Sequence, residues 1–159
     1  MAANPRHEFA NEPDDRTLVI TRIFDAPPAS VFKAWTDPAI AKTWMGPRGF
    51  TATHSEGELR PGAAWRACLR RDADGKELWQ GGVYREIVAP ERLVFTFAWD
   101  AENGEPGHET LVTITFAAEH GRTRMIFRQA TFDSIGQRDG HQGGWTSTFE
   151  RLAEHLARN

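Results

Sequence analysis

Residues 16–24 read RTLVITRIF, a β-branched and apolar run closed by Asp25-Ala26-Pro27-Pro28; this predicts a first strand stopped by prolines. The period then lengthens. Val31, Phe32 and Trp35 fall at the offsets of a short helix over residues 29–35. Asp37-Pro38 supplies an N-cap and a good first helical residue, predicting a second short helix to about Met45, ended by Gly46-Pro47. From Phe50 onward the period becomes two, and strands are predicted over residues 50–54, 63–71, 77–88, 92–99, 109–117 and 122–132. Trp65, Ala67 and Leu69 share one face of their strand, with Arg66, Cys68 and Arg70 on the other. Leu93, Phe95, Phe97 and Trp99 share a face of the next but one, as do Val112, Ile114 and Phe116, and then Met125 and Phe127. Asp74-Gly75 signals a tight hairpin, and Gly81-Gly82 inside a strand marks a bulge or a close backbone approach. The last segment changes period again. Trp145, Phe149, Leu152 and Leu156 sit at i, i+4, i+7 and i+11, one stripe of a long helix that His141 extends by four residues. Gly140, Gly143 and Gly144 each cost a helix about 1 kcal/mol relative to Ala. For Gly140 the pattern favours a helix that begins late, near Gly144. For Gly144 it favours close approach to the sheet or to a ligand.

The order is strand, two short helices, about six strands of antiparallel meander and a long C-terminal helix, an α+β class. A twisted antiparallel sheet has one face to cover, and only one long helix is available to cover it. A curved sheet wrapped around a single helix leaves an elongated gap lined by apolar and aromatic side chains, the chemistry of a small-molecule site. The candidate lining residues are Trp65, Phe97, Phe127, Trp145 and Phe149, all on inward faces. Trp35 and Trp44 join them beside the short helices, where Trp44-Met45-Gly46-Pro47 reads as a lid or as an anchor for the loop. Cavity wall and packed core share the same stripes, so periodicity leaves both readings open for each residue. His141 either hydrogen-bonds a ligand oxygen or makes a structural hydrogen bond.

Composition narrows the function classes. The chain has 159 residues, is 40% hydrophobic and 26% charged, and carries a formal net charge of −3, so no basic excess argues for nucleic acid. Its apolar runs are too short for a membrane span. One cysteine, Cys68, can neither close an internal disulfide nor build a cysteine zinc site. Residues 1–15 are polar and aperiodic and read as a flexible arm without a signal-peptide core, ahead of a domain over residues 16–159. His54, His108, Glu58 and Glu109 are further acid/base candidates, but none stands at a diagnostic spacing. No nucleophile elbow, phosphate loop or dinucleotide loop occurs, so no catalytic residue, cofactor or metal is assigned. Arg66, Arg70, Arg124 and Arg128 recur opposite the apolar faces, as a basic patch or as a solvated convex face. Cys68 lies among them, where Arg neighbours would lower its pKa if it were exposed.

Several stretches carry a resemblance: Thr21-Arg22-Ile23-Phe24-Asp25-Ala26-Pro27, Val31-Phe32-Lys33-Ala34-Trp35-Thr36-Asp37-Pro38 and Trp44-Met45-Gly46-Pro47. So do Gly81-Gly82-Val83-Tyr84-Arg85-Glu86-Ile87, Pro90-Glu91-Arg92-Leu93, Val112-Thr113-Ile114-Thr115-Phe116 and Gly144-Trp145. In this order the chain resembles the Activator of Hsp90 ATPase homologue 1-like (AHSA1-like) family of the START/Bet v 1-like helix-grip, or SRPBCC, superfamily. The resemblance implies a β-α-α-β6-α helix-grip fold, with a curved antiparallel sheet wrapped around a long C-terminal helix and a cavity between them, in a cytosolic protein. In the eukaryotic co-chaperone a separate preceding domain does much of the Hsp90 binding, and the arm here is too short to correspond to it. The leading expectation is a cytoplasmic binding protein for a small hydrophobic or amphipathic molecule. The alternatives are an Hsp90-linked or other protein-interaction module, with a chaperone or a second copy as partner, and a cyclase- or hydrolase-type enzyme using the same pocket.

Overall fold

The two Pro-containing junctions in the N-terminal quarter work as their chemistry dictates. Strand β1 (Thr17–Phe24) ends ahead of Pro27, and helix α1 (Pro28–Thr36) starts with Pro28 in its first turn, where a missing N–H costs nothing. Helix α2 (Pro38–Trp44) follows at once, its N-cap Asp37 accepting a 3.0 Å hydrogen bond from the Ala39 N–H. The computed structural model describes residues 15–158. The arm expected at residues 1–15 therefore lies, apart from Asp15, outside the described residues.

Six strands then meander: β2 (Phe50–Gly57), β3 (Ala64–Arg71), β4 (Glu77–Val88), β5 (Arg92–Trp99), β6 (Thr110–Glu119) and β7 (Arg122–Ala130). All pairings are antiparallel, in the order β1-β7-β6-β5-β4-β3-β2, so β1 closes onto the last strand and β2 forms the far edge. The curled sheet grips helix α3 (Ile135–Ala157), which gives the α+β architecture that the pattern predicts and the helix-grip fold that the resemblance implies. Strand β2 runs to Gly57 rather than stopping at His54. A bulge at Thr53 shifts its parity and breaks the alternation by which a longer strand would be recognised.

Helix α3 begins at Ile135, well before Gly144, with the Ser134 hydroxyl accepting from the Gln137 N–H at 3.1 Å. The expected late start is thus corrected: the cap nucleates the helix through its glycine-rich stretch. Its buried residues are Trp145, Thr148, Phe149, Leu152 and Leu156, so its C-terminal half seals the core, while within residues 135–144 no side chain is fully buried and His141 is half-buried.

Gly82 settles the role of the glycine pair in β4. A Cβ there would stand 1.8 Å from the Thr96 carbonyl oxygen. With no side chain in the way, the indole N–H of Trp65, paired across from Gly82, donates to that carbonyl at 3.1 Å. The Val83 N–H turns instead to the Thr96 hydroxyl at 2.8 Å. Of the two readings of the glycine pair, this is the close backbone approach, and the register shift of β4 falls later, between Tyr84 and Glu86.

The convex face is partly closed as well. Cys68 is 0% exposed, between its cross-strand neighbours His54 and Trp79, whose rings lie 5.3 Å apart. Its burial removes the premise of an exposed, Arg-activated thiol. Arg66 stacks over Trp79 and forms a bidentate pair with Asp100 at 2.8 and 2.5 Å, and Arg124 does the same with Glu119. Arg70 lies 3.9 Å from Asp72. Arg66, Arg70 and Arg124 thus each face a carboxylate, which favours a solvated, charge-balanced surface over a basic patch.

Candidate functional site

Inward parity brings the aromatic residues together around Trp35. Its ring centroid lies 5.0 Å from that of Trp44, 5.8 Å from Trp145, 6.0 Å from Phe149 and 6.1 Å from Phe127. Edge, tilted and stacked contacts of this kind add to the area term of burial. Trp44, Phe127 and Phe149 are fully buried in this cluster and form the packed layer behind the cavity walls. Trp44 donates its indole N–H to the Ala34 carbonyl at 3.0 Å, tying α2 to α1.

Trp35, Trp65, Phe97, Trp145 and His141 lie where packing gives way to open space. Two chambers meet there. The smaller, about 70 Å³, is bounded by Trp35, Trp65, Tyr84 and Phe95 and reaches the surface between α2 and β2, near Lys42 and Glu56. The larger, about 300 Å³, lies beneath the N-terminal half of α3. Met45, Leu69, Gln80, Phe97 and Trp145 belong to both walls and form the waist between the chambers. The larger volume is at the lower bound of ordinary ligand sites, about 300–1,000 Å³.

Helix α3 contributes space as well as walls. Gly140 and Gly144 line the larger chamber, and a Cβ built at either would meet no atom within 4 Å. Of the two expectations for Gly144, close approach to the sheet or to a ligand, the first is therefore corrected. The missing side chains face open volume, at a helix-propensity cost of about 1 kcal/mol per glycine.

The roof is the α2–β2 loop. Met45, Gly46, Pro47 and Phe50 line the larger chamber. Arg151 of α3 donates to the carbonyls of Gly46, Phe50 and Pro47 at 2.8, 3.0 and 3.3 Å. The Arg48 N–H donates to the Ser147 hydroxyl at 2.9 Å, and the Arg48 side chain pairs with Glu154. One guanidinium nitrogen thus sits among three carbonyls of the loop and the start of β2, and the loop is fastened to the helix rather than hanging free.

Two buried polar groups fix the walls. Gln129, 0% exposed, accepts from the Trp145 indole at 2.8 Å and donates to the Thr110 hydroxyl at 2.8 Å; that hydroxyl donates to the Phe97 carbonyl at 3.1 Å. Every member of this chain has a partner, so it holds Trp145 in one orientation. His141 accepts from the Trp99 indole through Nε2 at 3.0 Å and packs against the Phe97 and Phe132 rings. Burial pushes its pKa down to about 4, so the ring is neutral near pH 7 with its proton on Nδ1. With Nε2 already occupied, it is a structural acceptor rather than a general base through that atom. Burial also raises the Tyr84 phenol, which stays protonated. Among the described residues, no group of three or more His, Cys, Asp or Glu side chains stands close enough to hold a metal ion.

Periodicity alone does not single out Gln80. It shares inward parity with Leu78 and Tyr84 and sits at the waist, 4% exposed. Its signal is a polar amide on an otherwise apolar stripe.

No helix among the described residues is long and apolar enough to cross a membrane. Solved structures share the fold along most of their length. A protein of Chromobacterium violaceum is 27% identical, with a TM-score of 0.80, over 89% of this chain and 96% of its own. One from Arthrobacter aurescens, solved by solution NMR, is 25% identical with a TM-score of 0.83, over 93% and 91%. The AHSA1 protein from Silicibacter pomeroyi is 25% identical with a TM-score of 0.80, over 89% and 97%. No curated protein matches the chain. The sequence profile described as Activator of Hsp90 ATPase homolog 1-like protein matches residues 25–157. The chain belongs to that AHSA1-like family.

Proposed function

We propose that this protein is a cytoplasmic binding protein that holds a small, largely apolar molecule in the two chambers between the sheet and α3. The observation that carries the reading is the pair Gly140 and Gly144. A helix gives up stability at both positions, and what it gains in return is volume on the cavity side. The aromatic waist of Phe97 and Trp145 gives such a molecule stacking surfaces, and the Gln129 network keeps that wall rigid enough to be pre-formed. The chaperone-linked alternative rests on the family name, whereas the cavity reading rests on named atoms.

The test is binding of N-phenyl-1-naphthylamine, an uncharged fluorescent probe, to the wild type and to Gly144→Leu. A leucine grows into open volume and suits a helix better than glycine, so the variant folds. Saturable fluorescence enhancement in the wild type and at least tenfold weaker binding by Gly144→Leu are expected. Equal binding by the two would place the probe elsewhere and overturn the reading.

A further inference from the structure

The tryptophans and inward-facing glutamines differ in one respect. Trp44, Trp65, Trp99 and Trp145 each donate the indole N–H to a protein acceptor at 2.8–3.1 Å. Trp35, 7% exposed, has no acceptor for its Nε1–H. Gln129 is satisfied at both ends of its amide, whereas Gln80, 4% exposed, has no acceptor for Nε2. Both residues line the smaller chamber. Buried donors without acceptors are uncommon in folded proteins, and two of them around one cavity mark the place of an acceptor.

Resting on the cavity reading above, we infer that the bound molecule is uncharged and carries a carbonyl oxygen (a ketone, ester or amide) that accepts from Trp35 and Gln80 in the smaller chamber, with its apolar body in the larger. A carbonyl oxygen has two lone pairs for two donors. The volumes suit this division: about 70 Å³ takes a small polar head, about 300 Å³ a ring system. The absence of charge follows from the walls. Of the ionisable groups at the smaller chamber, Lys42, His54 and Glu56 stand at its rim and Tyr84 is kept a neutral phenol by burial, so the buried lining offers neutral groups only. A carboxylate there would lose its hydration without a cation to replace it. Gln80 lies at the waist, so the same molecule passes from one chamber to the other beside it.

Three near-isosteric probes test this: 2-acetylnaphthalene, 2-ethylnaphthalene and 2-naphthoate, titrated by ¹H–¹⁵N shifts into the wild type, Trp35→Phe and Gln80→Leu. In the wild type the ketone binds about tenfold tighter than the hydrocarbon, the yield of one to two hydrogen bonds, and tighter than the carboxylate. The Trp35 indole and Gln80 amide protons move downfield with the ketone and not with the hydrocarbon. Each substitution lowers the ketone-to-hydrocarbon ratio about threefold or more; taking the ratio cancels any change in packing. Gln80→Leu carries the test if Trp35→Phe fails to fold. Equal affinity of ketone and hydrocarbon in the wild type, or a ratio unmoved by either substitution, overturns the inference and leaves the cavity standing. Failure of all three probes to saturate the wild type overturns the cavity reading itself.

Discussion

The indole N–H of Trp99 lies 3.0 Å from Nε2 of His141, and an indole can only donate, so this contact requires an unprotonated Nε2. Burial works in the same direction and holds the folded pKa at about 4, against 6.5 for an open imidazole. Above pH 6.5 both the folded and the unfolded chains are neutral at this site, and stability is full. As pH falls below 6.5 the unfolded chain takes up a proton that the folded one refuses, so stability is lost down to about pH 4. The loss is at most about 3 kcal/mol. Denaturant unfolding from pH 7.5 to 4 should therefore show a steeper fall in the wild type than in His141→Gln, whose amide oxygen can still accept from Trp99. Parallel curves would contradict this. The carboxylates that arginines hold low, Asp74 and Asp100 among them, are common to both proteins and cancel in the comparison.

Gly143 is exposed on α3 with no atom within 4 Å of a built Cβ, so Gly143→Ala should stabilise the fold by about 1 kcal/mol, or about 2–4 °C in melting temperature. Gly144→Ala should stabilise by a similar amount while taking volume from the larger chamber. A calorimetric scan of each checks this. A loss of stability in either would mean that the helix glycines serve packing after all.

Gly82→Ala should do the reverse. Its Cβ would fall 1.8 Å from a backbone oxygen that cannot swing away, and the Trp65–Thr96 bond lies across the same spot. Destabilisation of more than about 3 kcal/mol, or failure to fold, is expected from overpacking plus the lost bond. A melting temperature within a few degrees of wild type would show that the two strands can part without cost.

The α and β order is legible in the sequence because each element answers to one local rule. Asp37-Pro38 caps α2, Asp74-Gly75 turns β3 into β4, and the Trp145-Phe149-Leu152-Leu156 stripe seals α3 onto the sheet. The first turns of α3 are not legible, because apart from His141 residues 135–144 mostly face solvent and open volume and so show no sustained apolar period, and their glycines argue against helix. The division between cavity and core is hidden for a different reason. Phe97 and Phe127 both point inward from their strands. Only the way in which α3 settles over the sheet, which no single strand encodes, makes one a wall and buries the other. Gln80 and Gln129 look alike in sequence, and what separates them is the Thr110 hydroxyl, which accepts from the Gln129 amide nitrogen and has no counterpart at Gln80 Nε2.

That asymmetry has a stability consequence. Gln129→Leu strands the Trp145 N–H and deprives the Thr110 hydroxyl of its amide donor, so it should cost about 2–4 kcal/mol. Gln80→Leu removes a buried donor that has no acceptor, and should stabilise the unliganded protein by about 1 kcal/mol. Urea titrations of the pair decide it. Equal losses would mean that both amides are equally satisfied in solution.

The central claim is that the space between the sheet and α3 is a binding site. The most direct measurement follows the ¹H–¹⁵N resonances of the labelled wild type while pooled fatty acids, flavonoids, sterols and aromatic polyketides are added. Saturable shifts from at least one pool are expected, clustered at Trp35, Gln80, His141, Gly144 and Trp145, with Trp79 on the convex face unmoved. Shifts confined to the convex face, or none from any pool, would contradict it.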